Sequence, residues 1–173
     1  MDDIMIDAPF RKQMRLKGYN YSQAGYYYIT ICTMNRRDIL GHVVGGDANS
    51  SQSELFTPPS VQLSDNGYIV KKYIEGISLS HRYVDVDKYV IMPNHIHMII
   101  VLKDGAMWSS PPTNKIPSIM RSFKTMITKE IGVSLFQESY YDHIIRDEND
   151  YLTKWNYIDT NPAKWAEDEY FSS

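Results

Sequence analysis

The spacing of apolar positions changes several times along this chain, and each change marks a predicted element. After Gly25, Tyr26-Tyr-Tyr-Ile-Thr-Ile-Cys-Thr33 is a run of aromatic and β-branched side chains, which suit a pleated surface and predict a first strand. Residues 42–60 lose all period, gather glycine and serine, and include Pro58-Pro59; they read as a surface loop. From about Ser64 the period becomes helical: Ile69, Val70, Tyr73 and Ile74 recur on one side, while Lys71, Lys72 and Glu75 turn outward. Tyr83 to Ile91 reads as a strand, Met92-Pro93-Asn94 as a turn, and His95 to Leu102 as the returning strand of a hairpin.

Residues 104–117, with Gly105 and three prolines, read as another loop. Ser118 then stands where it can cap a helix running to about Ile131, with Gly132 just beyond its end. Ile119, Phe123, Met126 and Ile127 form the predicted buried stripe, leaving Arg121, Lys124, Thr125 and Thr128 on a mildly basic outer face. Ser139 to Arg146 predicts a short strand, and Asp147 caps a last helix in which Leu152, Trp155 and Ile158 recur at i, i+3, i+6. The order strand, helix, strand, strand, helix, strand, helix predicts an α+β fold. Its expected form is an antiparallel sheet of the ferredoxin-like, split βαβ type with an added C-terminal helix. At 173 residues, all of it fits one domain spanning 1–173.

Composition narrows the classes. The hydrophobic fraction of 43% is globular, no run approaches the roughly 18 apolar residues of a membrane span, and Met1-Asp-Asp-Ile-Met-Ile-Asp7 is too acidic for a signal peptide. A single cysteine, Cys32, excludes an internal disulfide. The expectation is a soluble, cytoplasmic protein with no membrane partner. A net charge of −3 speaks against a nonspecific nucleic-acid coat, because phosphate binding is driven by Lys and Arg displacing counterions. Its distribution says more: residues 1–40 hold six Lys/Arg against four acids and 91–130 five against two, whereas 131–173 hold three against nine. An anionic partner should meet the first two regions.

The candidate chemistry starts at His95-Ile-His97. Side chains two apart on a strand face the same way, so both imidazoles share a face with Ile99 and Val101. Such a pair is either a hydrogen-bonded part of the core or half of a metal site. The last helix offers a second half: Tyr157 and Asn161, four residues apart, lie one above the other and present a phenol and an amide oxygen. Two imidazoles and one carbonyl oxygen can hold a divalent ion with positions left for a phosphate oxygen and water, the arrangement Lewis-acid catalysis needs. A phenol titrates at about 10 and is a poor nucleophile at neutral pH unless its target is activated, so ion and tyrosine would act together. Asn161 precedes Pro162, a position biased away from helical angles, which predicts a frayed last turn there.

These residues resemble a known family. His95-Ile-His97 after Met92-Pro93-Asn94, Tyr140-Tyr-Asp-His-Ile-Ile-Arg146, and Tyr157-Ile-x-x-Asn-Pro162 together resemble the REP-associated tyrosine transposases, of the single-tyrosine HUH endonuclease class. Arg15-Leu-Lys-Gly-Tyr-Asn-Tyr-Ser-Gln-Ala-Gly25, leading into Tyr28-Ile-Thr-Ile-Cys-Thr-x-Asn-Arg36, is similar too, so that four blocks span residues 11–165. The resemblance implies cleavage and rejoining of single-stranded DNA beside a hairpin. In it His95 and His97 match the metal-binding pair, Asn161 the third ligand and Tyr157 the nucleophile, with Mg2+ or Mn2+ as the ion. Attack by Tyr157 would give a 5′-phosphotyrosine and a free 3′-hydroxyl, a link that permits strand transfer without ATP. Arg121, Lys124 and Arg146 are the candidate DNA contacts; the last, like His143, matches the family pattern. A homodimer is the expected assembly. One departure is Phe136-Gln137-Glu138, where relatives commonly carry Trp-Gln-Arg; a negative charge replaces a potential phosphate contact.

Two other classes stay open. A noncatalytic or domesticated DNA-hairpin-binding protein would keep the same fold. A histidine-based phosphohydrolase would need either a third alternating histidine, where this chain has Ile99, or a second histidine motif with hydroxyl residues, of which the chain shows none.

Overall fold

The computed structural model describes residues 24–46, 57–103 and 115–171. The N-terminal block up to residue 23 and most of the predicted 104–117 loop lie outside the described residues. In chain order the elements are β1 (Gly25–Cys32), β2 (Gly41–Val44), β3 (Ser60–Leu63), α1 (Asp65–Ser80), β4 (Val84–Ile91), β5 (His95–Leu102), α2 (Lys115–Ile131), β6 (Tyr141–Ile145) and α3 (Glu148–Thr160). Short 3-10 segments follow β1 at Met34–Arg36 and α3 at Asn161–Glu167.

The central sheet has the order β4-β5-β1-β6, with every neighbouring pair antiparallel. That is the α+β, ferredoxin-like arrangement expected from the element order, with α3 as the added helix. Alternation along the strands then separates two faces. On one, Tyr27, Ile29, Ile31, Ile96, Met98 and Ile100 are buried against Val70, Ile74 and Ile77 of α1 and against Ile116, Met120, Phe123 and Ile127 of α2. On the other, Tyr28, Ile99 and Ile145 form a smaller cluster with Ile158 of α3, and Val90, Tyr151 and Trp155 pack at its margin. Among the described residues the first cluster holds 21 buried hydrophobics and the second four, so stability resides on the α1/α2 side and the α3 side is free to be polar.

Local signals explain the helix ends. The Ser64 hydroxyl accepts from the Gly67 N–H at 3.2 Å and donates to the Ile39 carbonyl at 2.8 Å, capping α1. Gly67 lies so close to the Leu40 carbonyl that a β-carbon would collide with it, which is why the helix can start there only with glycine. Asp147 caps α3 by accepting from the Asp150 N–H at 2.8 Å. Gly132, at φ 86°, ends α2 in the left-handed region.

The structure departs from the sequence reading in four places. The 42–60 loop begins and ends in a two-stranded antiparallel pair, β2 with β3; four-residue strands are too short to display a period. Among the described residues the second long helix already runs from Lys115, so Ser118 is an exposed residue inside it and not its cap. The buried stripe runs Ile116, Ile119, Met120, Phe123 and Ile127, and of the predicted set only Met126 falls to its edge, at 42% exposed. In α3 the inward stripe is Tyr151, Trp155 and Ile158, spaced i, i+4, i+7, while Leu152 is 48% exposed. No helix among the described residues is long and apolar enough to cross a membrane.

Candidate active site

The site lies on the α3 face, where strand register sets its first half. His95 pairs with Cys32 and His97 with Thr30 across β5 and β1, so both imidazoles emerge side by side, their ring centroids 4.5 Å apart. Each ring is held by its Nδ1. Asn94 donates its amide N–H groups to the Arg36 carbonyl (3.2 Å) and the Tyr170 carbonyl (2.8 Å), which fixes its orientation and leaves its Oδ1 2.9 Å from His95 Nδ1. An amide oxygen only accepts, so His95 carries its proton on Nδ1 and its Nε2 is a bare lone pair. His97 Nδ1 lies 2.7 Å from the Tyr28 hydroxyl and 2.8 Å from the Thr30 hydroxyl.

Burial keeps both rings neutral. Desolvation pulls His95 down to about 4, with the Asp168 carboxylate opposing and the Arg36 guanidinium adding to the fall. His97 is held well below its ordinary value by desolvation, then by His95 and by the Lys154 ammonium. Neutral imidazole is the metal-binding form.

The second half comes from the end of α3. Its last residues carry Tyr157 to 5.2 Å from the His97 ring, centroid to centroid, and to 6.5 Å from that of Tyr28. Asn161 keeps helical angles (φ −57°, ψ −43°) despite the following proline, and the chain continues into the 3-10 segment; the predicted fraying does not occur. Asn161 is therefore buried, its Nδ2 donating to Asp168 Oδ2 at 2.7 Å. Three buried atoms in this cluster have no hydrogen-bond partner: His95 Nε2, His97 Nε2 and Asn161 Oδ1. Buried polar atoms are nearly always paired. Three orphans in one place, all Lewis bases, are what a divalent ion would satisfy, so the residues present fit the ion their types suggested.

One participant was not anticipated. Asp168 lies with His95 and His97 such that one donor atom from each falls within 4.8 Å of the others, a group that could hold a metal. The same carboxylate accepts from the Tyr157 phenol at 3.1 Å and from the Tyr170 N–H at 2.8 Å. Burial first, and then Asp168, push the Tyr157 phenol far above its usual value, so it stays protonated in this arrangement. Residues 165–171 lie across the imidazoles: Trp165 and Tyr170 are 5.9 Å and 4.5 Å from the His95 ring. Arg36 holds this strap by donating to the Glu169 carbonyl and sitting 5.1 Å from the Tyr170 ring. Outside it, a surface cavity of about 330 Å³ is lined by Tyr157, Asn161, Lys164 and Asp168. The only trace of Asp168 in the sequence was its place just beyond Asn161-Pro162, within a segment whose acidity reads as solvated surface.

The remaining candidates are spread out. Arg146 is exposed and lines a cavity with Tyr26 and Tyr151 near the start of α3. His143 braces that helix, its Nε2 2.8 Å from the Asp150 carboxylate. Arg121 and Lys124 ride on α2, behind the opposite face of the sheet. Lys124 donates to the carbonyls of Gln137, Glu138 and Ser139 at 2.7, 3.0 and 3.3 Å, tethering the segment before β6.

No family model matches the chain. An uncharacterized protein of Haemophilus influenzae is 34% identical over 181 residues, covering 93% of each chain. A REP-associated tyrosine transposase of Escherichia coli K12 is 29% identical over 145 residues, 83% of this chain and 70% of the relative. The solved structure of a REP-associated tyrosine transposase bound to a REP hairpin shares the fold, with a TM-score of 0.60 at 20% identity over 90% of this chain and 77% of that one. The chain is related to the REP-associated tyrosine transposases. That kinship supports a transposase function, and the metal use it suggests is matched by a His95, His97 and Asp168 group that could hold an ion.

Proposed function

We propose that this transposase relative is a metal-dependent single-strand DNA endonuclease and strand transferase of the HUH class, acting in the cytoplasm, with Tyr157 as nucleophile. The observation that carries the reading is the convergence of His95 Nε2, His97 Nε2 and Asn161 Oδ1, buried and unpaired, beside the Tyr157 ring. His95, His97 and Asn161 would hold Mg2+ or Mn2+, which when bound supplies Lewis acidity at the scissile phosphate. The chain's own residues supply the rest. Asn94 sets the His95 tautomer, the Tyr28 and Thr30 hydroxyls orient His97, and α3 positions the phenol.

In the proposed step a bond forms between Tyr157 Oη and phosphorus while the bond from phosphorus to the 3′-oxygen breaks. The proton lost by the phenol ends on the departing 3′-oxygen, leaving a 5′-phosphotyrosine and a free 3′-hydroxyl. The reverse attack by another 3′-hydroxyl rejoins strands. A strand must be unpaired to lay its phosphate against a phenol that rides on a helix. A hairpin-bearing single strand is the proposed substrate, by kinship with the relative solved on a REP hairpin. Arg146, on the α3 side, is the proposed phosphate contact near the cut. Arg121, behind the sheet, would meet flanking DNA, with Lys124 shaping that surface through the segment it tethers.

The test is covalent capture. With Mn2+ and a labelled hairpin-bearing strand, the wild-type protein should retain label through denaturation, and Tyr157→Phe should retain none while still binding the strand. Cleavage that persists in Tyr157→Phe would make water the nucleophile and favour the phosphohydrolase reading. Binding without cleavage by the wild type would favour the noncatalytic hairpin binder.

A further inference from the structure

We infer that Asp168 is itself a ligand of the divalent ion, so that the metal site is closed by the strap following α3 and not only by the strand and the helix. This rests on the reading above, and it adds a residue that the sequence reading did not assign. The first argument is charge. Two neutral imidazoles and an amide oxygen bring no negative charge to a buried divalent cation, and an uncompensated buried charge is strongly disfavoured. A carboxylate with a donor atom within 4.8 Å of those of both imidazoles supplies it.

The second argument is hardness and number. Mg2+ and Mn2+ favour oxygen donors in an octahedral set. Two nitrogens and one amide oxygen make a nitrogen-rich site; adding Asp168 gives two nitrogens and two oxygens, with two positions left for phosphate or water.

The third is preorganisation. Asp168 Oδ1 accepts the Tyr170 N–H, while Oδ2 accepts both the Asn161 amide and the Tyr157 phenol. The strap is pinned in turn by Asn94, the residue that sets the His95 tautomer. A carboxylate merely solvated at the surface would not sit in a ring of contacts made by the other site residues. Both lone pairs of Oδ2 in the plane of the carboxylate are engaged, so a metal bond at that oxygen displaces a donor.

The experiment measures Mn2+ binding by calorimetry on the full chain without DNA, for the wild type, Asp168→Asn, and His95→Ala with His97→Ala. Asp168→Asn keeps size and hydrogen-bonding shape, and its ion-free melting temperature reports whether the fold survives. The expected result is an affinity at least about tenfold weaker in Asp168→Asn. A second variant reads direct bonding. Asp168→Cys saturated with Co2+ should show a thiolate-to-cobalt charge-transfer band, because soft thiolates bind such ions directly. The wild type, with Cys32 as its one cysteine, is the blank. Weaker Mn2+ binding without the band would make Asp168 a positioning group and overturn the assignment. Unchanged Mn2+ binding with increased DNA cleavage would overturn it as well, in favour of an anion standing where the phosphate belongs. A wild type that binds no Mn2+ would instead sink the metal-dependent reading on which this inference rests.

Discussion

The two faces of one sheet follow opposite rules. Toward α1 and α2, the alternate residues Tyr27, Ile29, Ile31, Ile96, Met98 and Ile100 of β1 and β5 are buried in one continuous hydrophobic core. Toward α3, the intervening residues Tyr28, Thr30, His95 and His97 meet hydroxyls, an amide and a carboxylate delivered from remote parts of the chain. The first face is specified by its own pattern. The second is specified by partners, and three of its buried atoms still lack one. Folding energy is thus concentrated behind the sheet, which lets the front hold unpaired lone pairs that would be costly in a protein without that reserve.

The sharpest way to break this comparison is to hollow the dry face. Met98→Ala removes a fully buried side chain next to His97 in sequence but on the other side of the sheet. It should cost about 2–5 kcal/mol in urea unfolding while leaving Mn2+ affinity within about twofold, if the faces are as independent as distant sites usually are. A large loss of metal binding in a folded Met98→Ala protein would show that the faces are coupled.

A pH series separates them next. An unfolded chain protonates His95 near 6.5, whereas burial holds the folded residue at about 4. The unfolded state therefore binds more protons between those values. The site's contribution to stability is complete above about pH 6.5 and is lost as pH falls toward 4, a change of order 3 kcal/mol. Stability measured against pH for the wild type minus that for His95→Gln should show this slope. A flat difference would mean that the ring is not held neutral by burial.

The smallest effect tests a single hydroxyl. Tyr28→Phe removes one of two groups beside His97 Nδ1 and leaves Thr30. About 1 kcal/mol of stability and up to about tenfold in Mn2+ affinity should be lost. A larger loss of metal than of stability would mark the hydroxyl as setting ring orientation.

How much of this could be read beforehand follows the same division. The fold class, the strand pair, the start of the first long helix near Ser64, the Asp147 cap and the Gly132 stop were legible because each depends on neighbours in sequence. The shared face of His95 and His97, and the approach of Tyr157 to them, were legible from strand and helix period joined to a family resemblance. Asp168 was not, because its role depends on how the chain turns after Pro162, and no local period encodes that turn. The β2–β3 pair escaped for a related reason: its four-residue strands are recognised only through each other. Pro162 misled in a milder way, since Asn161 keeps helical angles where the 3-10 segment continues the turn.

The pairing of His97 with Thr30 and of His95 with Cys32 carries one more consequence. Because strand side chains alternate with a period of two, one residue added to the Met92–Asn94 turn would swing both imidazoles into the oily interior and push Ile96 and Met98 out in their place. The aliphatic row thereby acts as a proofreading ratchet for the chemistry: any frame error that would misplace the rings also wrecks the core, so a miswound molecule fails to fold rather than persisting as an impaired enzyme.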